Sequence, residues 1–457
     1  MINFSDLTFI FRFLPVFVIA YYLTPITYRT WTLLLGSLVF YGVGDIRMLP
    51  VLLGAVVVNY LFSRAIRGGN KKKLLLVFIV CIDALMLVEF KILGQVIDNS
   101  LMPLGVSFFV FKMISFQADT YMDKITEEPP FADVAAYFCM FPQIVSGPIM
   151  RFSDYVENNH IGKDAYKAEL KTILGNIEDG LRFFVLGLFM KVMIADHLSM
   201  LWNDIGTIGY ESLSTPLAWI GAATYSMQLY YDFWGYSLMA AGVGVMLGFP
   251  FVVNFDQPYS AKGVSDFYRR WHATLGSWFR DYIYIPLGGS RVKAPRIILN
   301  LLIVWLITGF WHGITLNYIL WGLILFVIIV SERFIVFKLL PKWLGVIVGR
   351  LHVFVLIPLT WVVFAIPGLN MLREYFCRLF PFFGEGIAVN AGDYIKKLGT
   401  YGVFLGLGLI LLIPGIYGLF EKYRKKPVIM AILFVIFWIC VFSLSNSAGN
   451  PFMYFKF

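Results

Sequence analysis

One histidine in this sequence has surroundings that suit acid–base chemistry. His312 lies in the run Thr308–Gly313 (TGFWHG), directly after the strongly apolar stretch Leu301–Ile307. A neutral imidazole, with a pKa of about 6.5, can accept a proton from an attacking hydroxyl group. The glycines on either side would let backbone and substrate approach closely. The residues leave two interpretations open, a catalytic base and a histidine that only packs inside the membrane.

A second group of ionisable and aromatic side chains lies in Ser265–Arg291. Tryptophan and tyrosine residues alternate there with the charged and imidazole side chains Asp266, Arg269, Arg270, His272, Arg280, Asp281 and Arg291. Charges are expensive inside lipid, so these groups must face water, one another or a cavity. An interfacial loop with snorkelling arginines is one alternative. The density of aromatic residues around His272 favours a lined cavity.

The other histidines and the cysteines suggest no competing centre. We interpret His160 as a solvated loop residue, and His197 and His352 as interfacial residues beside apolar runs. Without a CxxC pair, the isolated cysteines indicate neither a metal site nor a disulfide framework; they are Cys81, Cys139, Cys377 and Cys440. The sequence also lacks a GxSxG elbow, a P-loop, HExxH spacing and a dinucleotide fingerprint.

The composition around these residues is that of an integral membrane protein. Of the 457 residues, 59% are hydrophobic and only 14% are charged, whereas a soluble domain carries about 25% charged residues. The apolar runs are continuous rather than alternating, which indicates helices and not a barrel. No basic segment stands free of apolar neighbours, so the net charge of +9 is better explained by cytoplasmic loops and anionic lipid than by nucleic acid.

The elements that must position the two histidines are therefore membrane-spanning helices, each of about 20 apolar residues. Eleven stretches qualify, which are 6–24, 30–45, 48–64, 74–93, 181–200, 214–233, 297–310, 315–337, 346–367, 400–420 and 428–446. Two more apolar stretches, 101–118 and 131–150, are interrupted by Pro103, Gly105, Pro142, Gly147 and Pro148. We expect these two to be broken or re-entrant helices, which membranes tolerate only where protein or water surrounds them.

The loops complete the prediction of an all-α, polytopic helical bundle that forms a single domain over residues 1–457. The basic loops 64–73 and 422–426 should be cytoplasmic, which places both termini outside. Leu7–Tyr22 lacks a charged leader and a cleavage site, so it is predicted to be a retained helix. The polar segment 151–180 predicts a loop that leads into an amphipathic surface helix.

Several motifs, in order, resemble the membrane-bound O-acyltransferase family. They are Pro103–Tyr121, Phe141–Arg151, Lys191–Asp196, Tyr225–Tyr236, Asn254–Tyr259, Ser265–Gly289 and Trp311–Gly313. The resemblance covers roughly residues 100–340, and the flanking helices in 1–99 and 341–457 match only in hydropathy. The sequence is most similar to the bacterial branch that O-acetylates polysaccharides, which includes the membrane subunit of alginate O-acetyltransferase.

This resemblance implies a funnel-shaped bundle whose tunnel joins a cytoplasmic acyl donor to an external acceptor. It implies that His312 is the general base, and that His272 orients substrate or polarises the acyl carbonyl. The implied tunnel lining consists of Trp311, Gly313, Arg269, Arg270, Trp271, Arg280, Asp281, Tyr231 and Asp232. Three residues depart from the usual family pattern and leave the acceptor and the cavity shape open, namely Trp234, Leu238 and Tyr268.

The expected activity is O-acetyl transfer in a bacterial cytoplasmic membrane. The resemblance implies acetyl-CoA or another acyl thioester as donor, no metal and no tightly bound cofactor. It also implies an extracytoplasmic esterase-like partner protein and a cell-surface polysaccharide as acceptor. Two alternatives stay open, D-alanyl transfer to teichoic acid and a solute transporter. A transporter would show paired broken helices in its two halves, whereas 101–118 and 131–150 lie close together in one half.

Overall fold

The fold is helical throughout the residues that the computed structural model describes, which are 3–145, 147–158, 170–383 and 390–446. No strand occurs within these ranges, so the predicted all-α fold is confirmed. Eight helices there are long and apolar enough to cross a membrane, namely Leu49–Gly68, Asn99–Tyr121, Leu170–Ile208, Ala294–His312, Leu316–Leu339, Lys342–Ala365, Asp393–Leu411 and Pro427–Asn446.

The predicted number of eleven spans is not settled by these eight helices. Four predicted spans fall on other helices, which are Phe9–Leu23, Arg29–Asp45, Lys72–Val96 and Thr215–Met246. Phe9–Leu23 is apolar but shorter than the roughly 20 residues that a span needs. Lys72–Val96 is long enough, but it carries Asp83, Glu89 and Lys91 between its apolar residues. The count of eleven therefore stays a prediction.

The described residues pack into two compact units. The first lies within residues 1–187, 236–253 and 444–449, and the second within 188–235, 254–443 and 450–457. The two histidines predicted to form the site, His272 and His312, belong to the second unit. The prediction of a single domain is not tested by this division and stays a prediction.

The first unit contains both interrupted segments. Its helices are Phe9–Phe13, Leu14–Leu23, Ile26–Tyr28, Arg29–Asp45, Leu49–Gly68, Lys72–Val96, Asn99–Leu101, Val106–Tyr121, Phe131–Cys139, Phe141–Ile144, Phe152–Asn158 and most of Leu170–Phe189. Gly105 has a φ of +67°, and a Cβ there would lie 1.8 Å from the carbonyl oxygen of Ile144. Only glycine fits such a position, which explains why the chain breaks before Val106–Tyr121.

Polar groups buried in the first unit are bonded to one another. The Lys112 ammonium donates to the Tyr137 carbonyl oxygen at 2.7 Å. Asn59 donates to a carboxylate oxygen of Asp83 at 3.0 Å, and the Gln117 amide donates to the Asn59 side chain at 2.9 Å. Such bonds offset the cost of removing polar groups from water. Residues 159–169, which include His160 and part of the predicted polar loop, lie outside the described residues.

The second unit positions the candidate site. Its helices are Met190–Ala195, Asp196–Ile208, Tyr210–Ser212, the first part of Thr215–Met246, Pro258–Ser260, Val264–Arg270, Ala273–Phe279, Arg280–Tyr284, Ala294–His312, Leu316–Ser331, Glu332–Val336, Phe337–Leu339, Lys342–Leu351, His352–Leu356, Ile357–Ala365, Leu369–Leu379, Pro381–Phe383, Asp393–Leu411, Pro414–Tyr423 and Pro427–Asn446. Ala294–His312 packs closely against Leu316–Ser331. A Cβ at Gly322 would lie 2.6 Å from the Trp305 carbonyl oxygen, and a Cβ at Gly309 would lie 2.8 Å from that of Tyr318. Gly309 and Gly322 therefore allow the two helices to pack closely.

Candidate active site

A cavity of about 490 Å³ in the second unit is lined by both His272 and His312. One side of it is formed by the helix Ala294–His312, which presents Leu301, Val304, Trp305, Thr308 and His312. Apart from the adjacent pair Val304 and Trp305, successive positions are three or four residues apart, so all five share one face of the helix. From Leu301 to His312 the helix rises about 16 Å. The cavity is therefore deep along the helix axis, and His312 lies at one limit of that face.

His312 is enclosed by aromatic rings. Its ring centroid lies 4.5 Å from that of Trp311, 5.2 Å from Trp321 and 5.0 Å from Phe364. The rings of Trp321 and Phe364 present their edges or faces at close to right angles to the imidazole. Asn317 donates to the carbonyl oxygen of Phe364 at 2.8 Å, and this hydrogen bond holds Phe364 in place beside His312. The imidazole is 7% exposed and therefore buried.

His272 is held instead by polar groups at a bend between two short helices. It joins Val264–Arg270 to Ala273–Phe279 and has a φ of +46°, in the left-handed region. Its Nδ1 lies 3.0 Å from Asn254 Oδ1, and Phe233 packs edge-on against the ring. Burial lowers the pKa of His272 to about 3, so the imidazole is neutral at physiological pH.

Three arginines are among the residues that line the cavity. Arg269, Arg280 and Arg333 all line it, together with Tyr284 and Ser290. The Arg269 and Arg280 side chains are 76% and 62% exposed, so this part of the lining faces solvent. The hydrogen bond to Asp281, 2.7 Å long, raises the pKa of Arg280 above its ordinary value. The arginines form a cationic edge that suits a phosphate or another anion.

A further polar donor lies among the aromatic residues. The Trp321 indole is almost completely buried and lines the cavity. Its Nε1 has no hydrogen-bond partner among the residues that the structure describes. A buried N–H group usually finds a partner. Trp321 therefore offers a hydrogen bond close to His312.

The structure brings five of the predicted site residues to the cavity, which are His312, His272, Arg269, Trp271 and Arg280. Six others are not among its lining residues, which are Trp311, Gly313, Arg270, Asp281, Tyr231 and Asp232. Trp311 contacts the ring of His312 from the side. Arg270 bonds to Asp266 at 3.1 Å and to Asp256 at 3.4 Å. Asp281 pairs with Arg280, as described above.

Tyr231 and Asp232 take part in packing within the second unit. The Tyr231 hydroxyl donates to the carbonyl oxygen of Gly408 at 2.6 Å. The Asp232 carboxylate lies 2.9 Å from the ammonium of Lys191, which also contacts Asp196 at 2.5 Å. All three side chains of this ion triad are largely buried. Such a triad adds little net stability, because the cost of removing its charges from water offsets much of their attraction.

The sequence did not reveal that a buried glutamate, Glu332, holds the first residue of the short helix that carries Arg269. The Glu332 carboxylate accepts hydrogen bonds from the backbone N–H of Val264 at 2.8 Å and 3.0 Å. It also lies 2.9 Å from His352 Nδ1, so His352 is paired rather than simply interfacial. A buried glutamate inside the apolar run 315–337 was the signal that such a role existed.

His197 likewise has a packing environment in the second unit. Its ring stacks on Phe404 with centroids 3.7 Å apart, and its Nδ1 lies 3.2 Å from the Val192 carbonyl oxygen. Among the described residues, His, Cys, Asp and Glu side chains form no group of three or more that could hold a metal ion.

Comparison with known proteins matches the model of the membrane-bound O-acyltransferase family to residues 72–345, more than half of the chain. The probable alginate O-acetylase of Azotobacter vinelandii is 33% identical over 443 residues, which cover 92% of this chain and 86% of that protein. The peptidoglycan O-acetyltransferase of Helicobacter pylori is 34% identical over 367 residues, covering 70% and 68%. The teichoic acid D-alanyltransferase of Bacillus subtilis is 28% identical over 229 residues, covering 48% and 56%.

These matches agree with the helices and the cavity. The family match includes both histidines, the arginine edge and the helix Ala294–His312. Eight apolar helices of sufficient length make the chain a multi-pass membrane protein. An enzyme is indicated rather than the solute transporter that the sequence alone left open. The chain is an acyltransferase that belongs to the membrane-bound O-acyltransferase family, in its alginate and polysaccharide O-acetyltransferase branch.

Proposed function

We propose that this enzyme moves an acetyl group from a cytosolic thioester, such as acetyl-CoA, to a hydroxyl group of an extracytoplasmic polysaccharide. The acceptor would be alginate or another exopolysaccharide, and it would receive the group directly or through a partner protein. The observation that carries the proposal is the shared cavity, in which two buried histidines and an exposed arginine edge line one space. A thioester donor has its reactive carbonyl at one end of a long arm and phosphates at the other.

The dimensions of the cavity support a donor of that shape. The lined face of Ala294–His312 rises about 16 Å from Leu301 to His312, and the arginines are exposed elsewhere on the lining. Phosphates on the arginine edge would leave the arm to reach along the apolar wall towards His312. Arginine binds phosphate through charge-assisted hydrogen bonds. An apolar wall with few polar groups is typical of a small-molecule site.

The chemistry proposed for His312 is that of a general base. Its neutral imidazole accepts the proton of the acceptor hydroxyl while the hydroxyl oxygen attacks the carbonyl carbon of the thioester. The carbon–sulfur bond then breaks, and the imidazolium returns the proton to the leaving thiolate. The products are the acetyl ester and the free thiol. The Trp321 N–H is the donor that we assign to the negative charge on the carbonyl oxygen.

The proposed orientation follows from basic residues at helix ends in the second unit. Arg291 and Lys293 precede Ala294–His312, and Lys422–Lys426 precedes Pro427–Asn446. Both groups are cytoplasmic under the positive-inside rule. His312 then lies towards the extracytoplasmic end of its helix, where an external acceptor can reach it.

The partner and the membrane are proposed on the same grounds. The relatives that cover most of this chain are named for alginate and peptidoglycan, which lie outside the bacterial cytoplasmic membrane. We therefore place the enzyme in that membrane, with both termini extracytoplasmic. An extracytoplasmic esterase-like protein would complete the transfer. D-alanyl transfer is the second candidate, supported by a relative that matches 48% of this chain.

The experiment compares bacteria that express the wild-type protein, His312→Ala or no copy, with equal membrane levels checked by immunoblot. Acetyl ester and D-alanine ester are both measured on the cell surface. The proposal predicts that acetyl ester is lost with His312→Ala while D-alanine ester is unchanged. Loss of D-alanine ester with normal acetylation would transfer the assignment to the second candidate, and no change in either ester would refute both.

A further inference from the structure

Asn254 contacts His272 and its surroundings through two different oxygen atoms. The backbone carbonyl oxygen of Asn254 accepts from the N–H of Ala273 at 2.8 Å. The side-chain Oδ1 lies 3.0 Å from His272 Nδ1 and accepts from the Thr274 hydroxyl at 2.8 Å and from the Thr274 N–H at 3.4 Å. Asn254 thus holds the backbone on one side of His272 and the imidazole ring as well.

The backbone contact at Thr274 fixes which way the Asn254 amide points. A backbone N–H can only donate, so the amide atom facing Thr274 must be the oxygen. The same oxygen faces His272 Nδ1. Because this oxygen cannot donate, the hydrogen of the neutral imidazole must lie on Nδ1. The other ring nitrogen, Nε2, then carries the lone pair.

The backbone at His272 needs the same support. A φ of +46° is uncommon for any residue with a side chain. Asn254 O bonds to Ala273 after the bend, and the N–H of Asp256 donates to the Arg270 carbonyl oxygen at 3.0 Å before it. Uncommon backbone conformations that surrounding groups hold in place cluster at functional sites.

We propose that Asn254 is a positioning residue that locks His272 in the tautomer with hydrogen on Nδ1, so that Nε2 serves the reaction as a hydrogen-bond acceptor. This inference rests on the proposed acetyl transfer. It assigns His272 a different role from polarising the acyl carbonyl, since a nitrogen without hydrogen cannot donate to the carbonyl oxygen. His272 instead receives a hydrogen bond from an N–H or O–H group of a substrate.

Burial supports the same role, because it lowers the pKa of His272 to about 3. The ring is therefore neutral at physiological pH. Protonation would make both ring nitrogens donors and abolish the acceptor. A substitution that raises this pKa should thus bring the loss of the acceptor into a measurable pH range.

The sharpest test is Asn254→Asp, assayed as acetyl transfer by the purified full chain in lipid vesicles between pH 4.5 and 9. A carboxylate keeps an acceptor for Nδ1 and adds a negative charge, which raises a histidine pKa by about 1–3 pH units. Activity should therefore fall as pH decreases, with the acid limb of kcat/KM displaced to higher pH than in the wild type. Near pH 8 the variant should retain most of the wild-type activity.

Asn254→Ala removes the acceptor and should lower kcat about tenfold to a hundredfold at all pH values. Losses of this size follow when the hydrogen-bond partner of a metal-bound histidine is removed. The matched control is Asn300→Asp, since Asn300 is also buried in the second unit and donates to the Gly289 carbonyl oxygen at 3.2 Å. The control should lower the yield of folded protein without displacing the acid limb. Size-exclusion profiles in detergent establish which variants fold.

The outcomes separate this inference from the proposed function. A wild-type protein that transfers no acetyl group from acetyl-CoA, with the acceptor polysaccharide and the extracytoplasmic partner both added, would refute the proposed function itself. An active wild type whose acid limb is unmoved by Asn254→Asp would overturn only the lock on His272. Equal losses for Asn254→Asp and Asn254→Ala at pH 8 would also overturn it, because a purely structural asparagine gives that result. If Asn254→Asp does not fold, the ¹⁵N chemical shifts of the His272 ring in the wild-type protein give the tautomer directly. A hydrogen on Nδ1 and none on Nε2 supports the lock, and the reverse overturns it.

Discussion

The two histidines of the cavity have opposite surroundings. The His272 imidazole is held by its Nδ1 contact with Asn254 Oδ1, which can only accept a hydrogen bond, at a left-handed bend of the backbone. His312 ends a regular transmembrane helix and is enclosed by the rings of Trp311, Trp321 and Phe364. Polar contacts can fix the tautomer of an imidazole, whereas an aromatic enclosure excludes water from around the ring. The comparison teaches that two histidines in one cavity can have different surroundings, and on this difference rest the roles that we propose, a hydrogen-bond acceptor at His272 and a base at His312.

The largest expected effect separates the two histidines directly. His312→Ala removes the base and should lower kcat by about 10³-fold, while His272→Ala removes an acceptor and should cost at least tenfold less. The measurement is acetyl transfer by equal amounts of folded protein. Equal losses of kcat in both variants would contradict the different roles proposed for the two histidines. A His312→Ala enzyme with normal activity would contradict them as well.

The next effect concerns the aromatic enclosure. Trp321→Phe keeps a large ring beside His312 but removes the indole N–H, so kcat should fall about 10²-fold with little change in KM. Trp219→Phe is the matched control, because Trp219 Nε1 donates to the Leu379 carbonyl oxygen at 3.1 Å away from the cavity lining. If the two variants lose the same activity, the Trp321 N–H has no special role in the reaction.

A smaller effect is expected at the arginine edge. The double variant Arg280→Ala/Arg333→Ala should raise the KM for acetyl-CoA about tenfold and leave kcat nearly unchanged. Added salt should narrow the difference, because it screens exposed charges. Arg270→Ala serves as the control, since Arg270 pairs with Asp266 and Asp256 and does not line the cavity. A KM increase with Arg270→Ala as large as that of the double variant would contradict the proposed edge.

The smallest effect is expected outside the cavity. Tyr231→Phe removes the bond to the Gly408 carbonyl oxygen and should cost about 1 kcal/mol of stability. Thermal unfolding in detergent should show a slightly lower midpoint, with transfer activity within about twofold of wild type. A large loss of activity at an unchanged midpoint would place Tyr231 in the site after all.

Much of the fold was accessible from the sequence because lipid imposes simple rules. Long apolar runs predicted helices correctly at Leu49–Gly68 and Pro427–Asn446, among others. The break before Val106–Tyr121 was predicted from Pro103 and Gly105. The predicted span 74–93 also falls on a helix, Lys72–Val96, although the polar residues Asp83 and Lys91 are buried along it. Patterns of hydropathy report length and apolarity, and they do not show which helices a neighbouring helix covers.

The site was less accessible than the fold. Motif resemblance pointed to His312, His272, Arg269 and Arg280, all of which line the cavity. It did not distinguish Arg269 from Arg270, because neighbouring residues on a helix point in different directions. Trp321 was missed since a tryptophan in an apolar run is the ordinary content of a transmembrane helix. Side-chain direction and hydrogen-bond partners arise from packing between distant segments, which a single sequence does not specify.

The most direct test of the proposed roles is a cryo-electron microscopy structure of the full chain with a ketone analogue of acetyl-CoA, in which a methylene group between the sulfur and the carbonyl prevents acyl transfer. The account predicts the analogue in the cavity, with its phosphates on the arginine edge and its carbonyl oxygen about 2.7–3.1 Å from Trp321 Nε1. The acyl carbon should lie beside His312, with His272 Nε2 accepting a hydrogen bond. An analogue bound elsewhere, or bound here with its carbonyl directed to His272, would contradict the division of roles between the two histidines.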